Sequence, residues 1–199
     1  MLKAERARTY RQVARAQAAH ATEKRIIEAA TQLLAEAYYD DVTLAAVARL
    51  AAVSTKTVIR RFGSKDALAA RVLAGAAGHH GALRDSVPAG DVDAALAMIL
   101  ETYELFGDTA LRNLALEGRI PMVTAFARKG RSLHAAWVAR VFGPPVSRAP
   151  ARRAQDLALL VVATDVYTWK VLRRDRKLTA VETGRAMRRL IDSVIRKGA

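Results

Sequence analysis

Thr55, Lys56, Thr57, Arg60 and Arg61 place two short hydroxyls and three long cations within one short stretch. Such side chains reach phosphate oxygens and base edges, and their chemistry is binding rather than bond-making. The four histidines offer no competing chemistry. His79 and His80 are adjacent, so on a helix they point about 100° apart and chelate poorly. His20 and His134 have no acidic or imidazole neighbour at metal-ligand spacing. Cys is absent, which excludes thiolate sites and disulfides. No nucleophile–base pair, phosphate-binding Gly loop or HExxH is present. The expectation is no catalytic residue, no metal and no cofactor. A helical enzyme is the least supported class.

The elements that must position the cations run from Thr43 to Phe62. Thr43 caps a first helix through its hydroxyl. Leu44, Val47, Ala48 and Ala51 recur at helical spacing and give it one buried face. Ala52 and Val53 form a turn, and Ser54 caps a second helix. Val58 and Phe62, four apart, lie on the inner side of that helix, and the hydroxyls and cations lie on its outer side. This is helix-turn-helix geometry, with the start of the second helix in the major groove. An ordinary helix pair with a solvated basic face fits the pattern about as well. Val53 to Ile59 also has the β-branched content of a strand, against which the caps and the apolar pair argue.

The stretch from Thr22 to Val72 resembles the DNA-binding domain of the tetracycline-repressor (TetR) family of transcription regulators. The residues that carry the likeness are RIIEAATQLLAEAYYDDVTLAAVA, then AVSTKTVIRRFGSKDAL. In order they give a first helix, an aromatic, Val-Thr, a second helix, a Val-Ser-Thr turn, a recognition helix ending in Phe, and Gly-Ser-Lys opening a fourth helix. The family usually carries Gly at Ala52 and at Tyr38, Tyr at Ile59 and His at Arg61. The resemblance implies DNA contacts from Thr43, Ser54, Thr55, Lys56, Thr57, Ile59, Arg60 and Arg61, with Lys65 on the DNA backbone. It also implies dimerisation through the last two helices and a ligand cavity among the middle ones.

The expected fold class is all-α, with about nine helices. The expected domains are a basic extension at 1–21, the helix-turn-helix domain at 22–68 and a ligand-binding and dimerisation domain at 69–199. Lys3, Arg6, Arg8, Arg11 and Arg15 make the extension either a helix or a mobile arm. Later helices are expected near Asp91–Phe106, Asp108–Leu116, Met122–Phe142, Pro150–Arg174 and from Thr179 onward, with Gly143-Pro144-Pro145 as a stop. Formal charge is +14. Counted to Glu117 it is +1, and from Gly118 onward it is +13. The basic C-terminal half reads as a solvated arginine-rich surface, and the total charge favours nucleic acid in general. The longest near-apolar run, Leu157 to Thr164, is too short to span a bilayer. A soluble, cytoplasmic chain with no membrane partner is expected.

Tyr103, Phe106, Met122, Phe126, His134, Trp137, Asp165, Tyr167 and Trp169 are the candidate ligand residues. An aromatic set at helical spacing also describes plain core. Asp165, which interrupts an apolar run, either pairs with an arginine across an interface or faces a ligand. Leu157, Val161, Val162, Met187, Leu190, Ile191 and Val194 are the candidate dimer interface. The functional expectation is a homodimeric repressor on a palindromic operator in double-stranded DNA, released by an unidentified small apolar or amphipathic ligand. The alternative is a ligand-free DNA-binding or architectural protein.

Overall fold

The computed structural model describes residues 2–144, 146 and 149–198, with side chains described from residue 12 to residue 195 within those ranges. Pro145 of the expected stop lies outside the described residues, as do the side chains of Lys3, Arg6, Arg8, Arg11 and Arg196. The described residues hold nine α-helices and no strand. These are α1 (Leu2–Glu36), α2 (Leu44–Leu50), α3 (Thr55–Phe62), α4 (Lys65–Asp85), α5 (Val92–Leu114), α6 (Pro121–Phe142), α7 (Pro150–Ala163), α8 (Val166–Lys170) and α9 (Ala180–Gly198). A 3-10 turn covers Tyr39–Asp41 and a π-helical segment covers Val171–Asp175.

The chain divides into two units, Met1–Ala74 and Gly75–Ala199, so the division falls within α4. Counted by these units, the charge asymmetry disappears. The first unit has 13 Lys and Arg against 7 Asp and Glu, and the second has 20 against 12. Residues Asp91 to Glu117 carry the acids that answer the C-terminal arginines. Arg131 pairs with Glu117, Arg173 with Glu104, Arg174 with Asp108 and Arg188 with Asp93.

In the first unit, α1 is continuous from Leu2, so residues 2–21 are helical. Thr22 is not a cap: its hydroxyl donates to the Ala18 carbonyl at 2.8 Å from within the helix. Ile26, Ala29 and Ala30 of α1 close over Val47, Ala48 and Ala51 of α2, Val58 of α3, and Leu68 and Val72 of α4. Thr43 caps α2, accepting from the Ala46 N–H at 3.1 Å. Ser54 caps α3 and Ser64 caps α4, accepting from Thr57 and Ala67 at 3.1 Å each. Each cap pairs an N–H that the helix itself leaves free.

The turn between α2 and α3 puts Ala52 at φ +53°, in the left-handed region. A Cβ there costs about 1–2 kcal/mol. Glycine removes that cost but raises the entropy of the unfolded chain by about 0.4–1 kcal/mol. Ala52→Gly is therefore expected to stabilise the first unit by roughly 0.5–1 kcal/mol. Denaturant titration of both proteins tests this, and an unchanged or lowered midpoint contradicts it.

In the second unit, α5 runs unbroken through Gly107, where a helix end was expected. The glycine serves packing: a Cβ there would lie 2.5 Å from the Trp169 ring. The opposite correction applies after α7. The expected single helix to Arg174 stops at Ala163 and restarts at Val166. Asp165 causes the restart, because its Oδ1 accepts the Tyr167 N–H at 2.8 Å as the cap of α8. It needs neither an interface arginine nor a ligand to explain its place in an apolar run. Thr179 and Glu182 form the expected capping box at α9: Thr179 N–H donates to Glu182 Oε2 at 2.8 Å, and Glu182 N–H to Thr179 Oγ1 at 3.2 Å.

Trp169, Phe142, Leu160, Met187 and Ile191 are fully buried at the centre of this unit. Trp169 is also fixed by polar contacts. Its Nε1 donates to Glu104 at 3.0 Å, Arg173 Nε bonds the same carboxylate at 2.9 Å, and Arg174 lies 4.5 Å over the ring. The π segment permits this arrangement, since both Arg173 and its neighbour Arg174 reach α5, the latter through a paired contact with Asp108 at 3.0 and 2.9 Å.

Candidate nucleic-acid interface

On α3 the sequence sets a radial order about the helix axis. Val58 is 0% exposed and points into the core. Lys56 and Arg60, one turn apart and about 160° from Val58, are the outermost side chains, and both are exposed. Ile59 flanks them and is 48% exposed. Thr55 and Thr57 sit partly buried at the margins. The Thr57 hydroxyl lies 2.9 Å from that of Ser54, so the cap and the helix share one proton network. Thr43 is exposed, and its hydroxyl hydrogen remains available after the oxygen has capped α2.

Arg61 departs from the expectation. Its side chain is only 23% exposed and its Nη1 lies 3.8 Å from Glu23 of α1. Glu23 also faces Arg71 at 3.9 Å. Arg61 therefore tethers α3 to α1 instead of standing on the outer face. The sequence hides this because Glu23 lies far up the chain on an element with no motif to mark it.

Lys65 begins α4 and is held in place. Its Nζ donates to the Asp40 carbonyl at 3.3 Å and lies 4.2 Å from the Tyr39 ring centre. The Tyr39 hydroxyl in turn donates to Asp66. Burial, and then that carboxylate, push the Tyr39 phenol well above its ordinary range, so it stays a donor. An ammonium has three donors, and two remain on Lys65 for a phosphate. The exposed set of Lys56, Ile59 and Arg60, with Thr43 and Lys65 on neighbouring elements, suits both parts of DNA recognition. Long cations reach guanine or phosphate, Ile59 can meet a thymine methyl, and the rest can position the backbone.

Residues 26–72 match the model of the bacterial regulatory proteins, tetR family. The N-terminal unit is a TetR-family DNA-binding domain. By this match the chain carries a DNA-binding domain of the kind found in those regulatory proteins. Solved structures extend the fold likeness to most of the chain. A transcriptional regulator from Rhodococcus sp. RHA1 is 18% identical, with a TM-score of 0.72 over 88% of this chain and 96% of its own. A protein from Mesorhizobium loti assigned to the TetR-family transcriptional regulators is 15% identical, with a TM-score of 0.66 over 91% and 98%. No curated protein matches the chain.

The TetR-type reading also gave candidates in the second unit, and they fall into distinct environments. Trp169 and Trp137 are 0% and 4% exposed and belong to the packed core. Trp137 Nε1 donates to the Arg84 carbonyl at 3.2 Å, and its ring meets Phe142 edge-on at 5.7 Å. Tyr103 is partly buried and donates to the Thr164 carbonyl at 2.9 Å. His134 is buried, with Nε2 3.0 Å from Thr164 Oγ1. Phe106 and Tyr167 are 43% and 51% exposed, and Met122 and Phe126 are partly buried on α6. A groove of about 770 Å³ runs between α5 and α9, past Leu96, Leu100, Val181, Gly184 and Arg188. None of the ligand candidates lines it.

The dimer candidates divide as well. Met187, Ile191 and Val194 are 0%, 0% and 8% exposed within their own chain, so that stripe of α9 packs inward. Leu157 and Val161 are partly buried against the same core. Val162 and Leu190 are 61% and 43% exposed. Leu159, which the sequence reading passed over, is 54% exposed on α7 beside Val162. Its apolar neighbours on both sides disguise it as core.

Proposed function

We propose that the chain is a homodimeric repressor that binds a palindromic operator and is released from it by a small amphipathic ligand. The observation that carries the DNA part is the outward trio Lys56, Ile59 and Arg60 on a helix capped by Ser54 and seated by Val58 in a TetR-family domain. A two-fold dimer presents two such helices to two half-sites, which is why the operator is palindromic. The outer faces of α7 and α9, with Leu159, Val162 and Leu190, support a four-helix interface. A ligand can free the operator only by favouring one conformation of the dimer over another.

Two experiments test this reading. Genomic fragments captured by the protein should share a palindrome that it binds at least tenfold more tightly than random duplex at physiological salt. Equal affinity for both contradicts the reading. Val162→Arg should yield folded monomers by sedimentation, because the new charge meets solvent in the monomer and an apolar partner in the dimer. Val194→Arg is unsuitable, since it would bury a charge in the monomer core. A Val162→Arg protein that still sediments as a dimer places the interface elsewhere.

A further inference from the structure

Glu23 of α1 stands between two arginines of the first unit. Nη1 of Arg61, on α3, lies 3.8 Å from one of its carboxylate oxygens, and Nη2 of Arg71, on α4, lies 3.9 Å from the other. Both separations exceed the length of a charge-assisted hydrogen bond, about 2.7–2.9 Å, so each pair holds by charge alone. The latches of the second unit are closer: Arg173 meets Glu104 and Arg174 meets Asp108 at 2.9 Å each. Arg61 is also left incomplete, since its Nε is buried and has no hydrogen-bond partner. Among the described residues no other carboxylate pairs with Arg61 or Arg71.

Arg61 has a second destination. It follows Thr57 by one turn, about 40° round the axis, and so sits at the margin of the face that carries Lys56 and Arg60. Its guanidinium is a planar fork that matches a phosphate in paired hydrogen bonds, whereas an ion pair as exposed as these is weak. If Arg61 turned outward, the carboxylate would not be stranded, because the exposed Arg71 stays beside it. The setting gives such an exchange a use. The first unit carries 13 Lys and Arg against 7 Asp and Glu, so it attracts any duplex. A carboxylate that occupies one of its cations in the free protein restrains that attraction.

We infer that Glu23 stands in for a DNA phosphate: it holds Arg61 in the free protein, yields it to the DNA backbone, and so lowers affinity for every duplex. Glu23 is thus a positioning residue that acts through Arg61. This goes beyond the reading above that α3 faces DNA, and rests on it.

The experiment uses the full chain and a random-sequence duplex, read by fluorescence anisotropy at two salt concentrations. Glu23→Gln should bind about two- to fivefold more tightly than the wild type, the gain expected when one partly exposed ion pair no longer has to break. Its salt slope should match that of the wild type, because the same phosphates are met in both complexes. In an Arg61→Ala background the substitution should have no effect, which assigns the gain to this pair. Glu28→Gln removes one charge from the same helix and should leave affinity unchanged. A brace that merely fixes α3 gives the opposite sign, since losing it would loosen the helix and weaken every duplex. Weaker or unchanged binding by Glu23→Gln, a gain that persists without Arg61, or an equal gain from Glu28→Gln each overturn the inference. If Glu23→Gln fails to fold, Glu23→Asp, which withdraws the carboxylate by one methylene, should show a smaller gain of the same sign, and no gain there overturns it. A wild type that binds no duplex removes the DNA reading itself, and a duplex-binding wild type without the gain in the variant removes this inference alone.

Discussion

Arg60→Ala is expected to weaken operator binding by about 1–3 kcal/mol, or roughly 5- to 150-fold, if the lost contact is a paired one to a guanine edge. The loss should concentrate at one base position of each half-site, while affinity for random duplex falls much less. Folding should be unaffected, because the Arg60 side chain is exposed. Arg61→Ala is the informative companion. Arg61 is tied to Glu23, so its removal should lower thermal stability and weaken operator and random duplex together. Lys65→Ala should also weaken all duplexes alike, and should reduce the salt slope by about one. Fluorescence anisotropy against operator, half-site variants and random DNA at two salt concentrations separates the three. If Arg60→Ala left the base preferences intact, α3 would not be the reading helix.

The second large effect concerns acid. His134 is 7% exposed and its pKa falls to about 4, below the ordinary 6.5. The folded protein therefore resists binding a proton that the unfolded chain accepts. Stability is full above pH 6.5 and declines as pH falls from there toward 4, where the folded ring also titrates. The total loss is roughly 3 kcal/mol, the cost of moving this titration from 6.5 down to about 4. His80 shifts in the same direction and adds to the slope. Glu104 and Asp108 are held low by Arg173 and Arg174 against their own desolvation, so their contribution belongs to still lower pH. Denaturation midpoints between pH 7.5 and 4.5 should fall steeply in the wild type and less in His134→Gln, whose amide can still donate to Thr164. Equal slopes would mean that the folded imidazole takes up its proton freely.

Helix α3 was legible because its information is local. Caps, an i, i+4 apolar pair and a run of cations lie within one stretch, and the caps and the apolar pair fix the helix without help from distant residues. The helix count also matched, but by cancellation. Gly107 was read as an end when it is a contact for Trp169, and the stretch from Pro150 to Arg174 was read as one helix when Asp165 restarts it at Val166. Both errors have one cause. A glycine or an aspartate states what the backbone permits, and only a distant partner decides which permission is used. The same holds for the α9 stripe: Met187 and Ile191 have the spacing of an interface, but α9 turns them toward α7 and the core of its own chain.

The π segment at Val171–Asp175 makes chain length itself a variable here. The Arg176 N–H reaches back five residues to the Val171 carbonyl, one more than in an α-helix. That one surplus residue turns Arg173 and Arg174 toward α5 together. Deleting any single residue between Leu172 and Asp175 would reset the phase by about 100° and leave at most one arginine in reach. Substitutions along the segment act one side chain at a time, whereas a single-codon deletion would release Arg173 from Glu104, Arg174 from Asp108, or both, in one step. For a mutational scan, the sensitive coordinate in this part of the protein is therefore the residue count, more than the identity at any position.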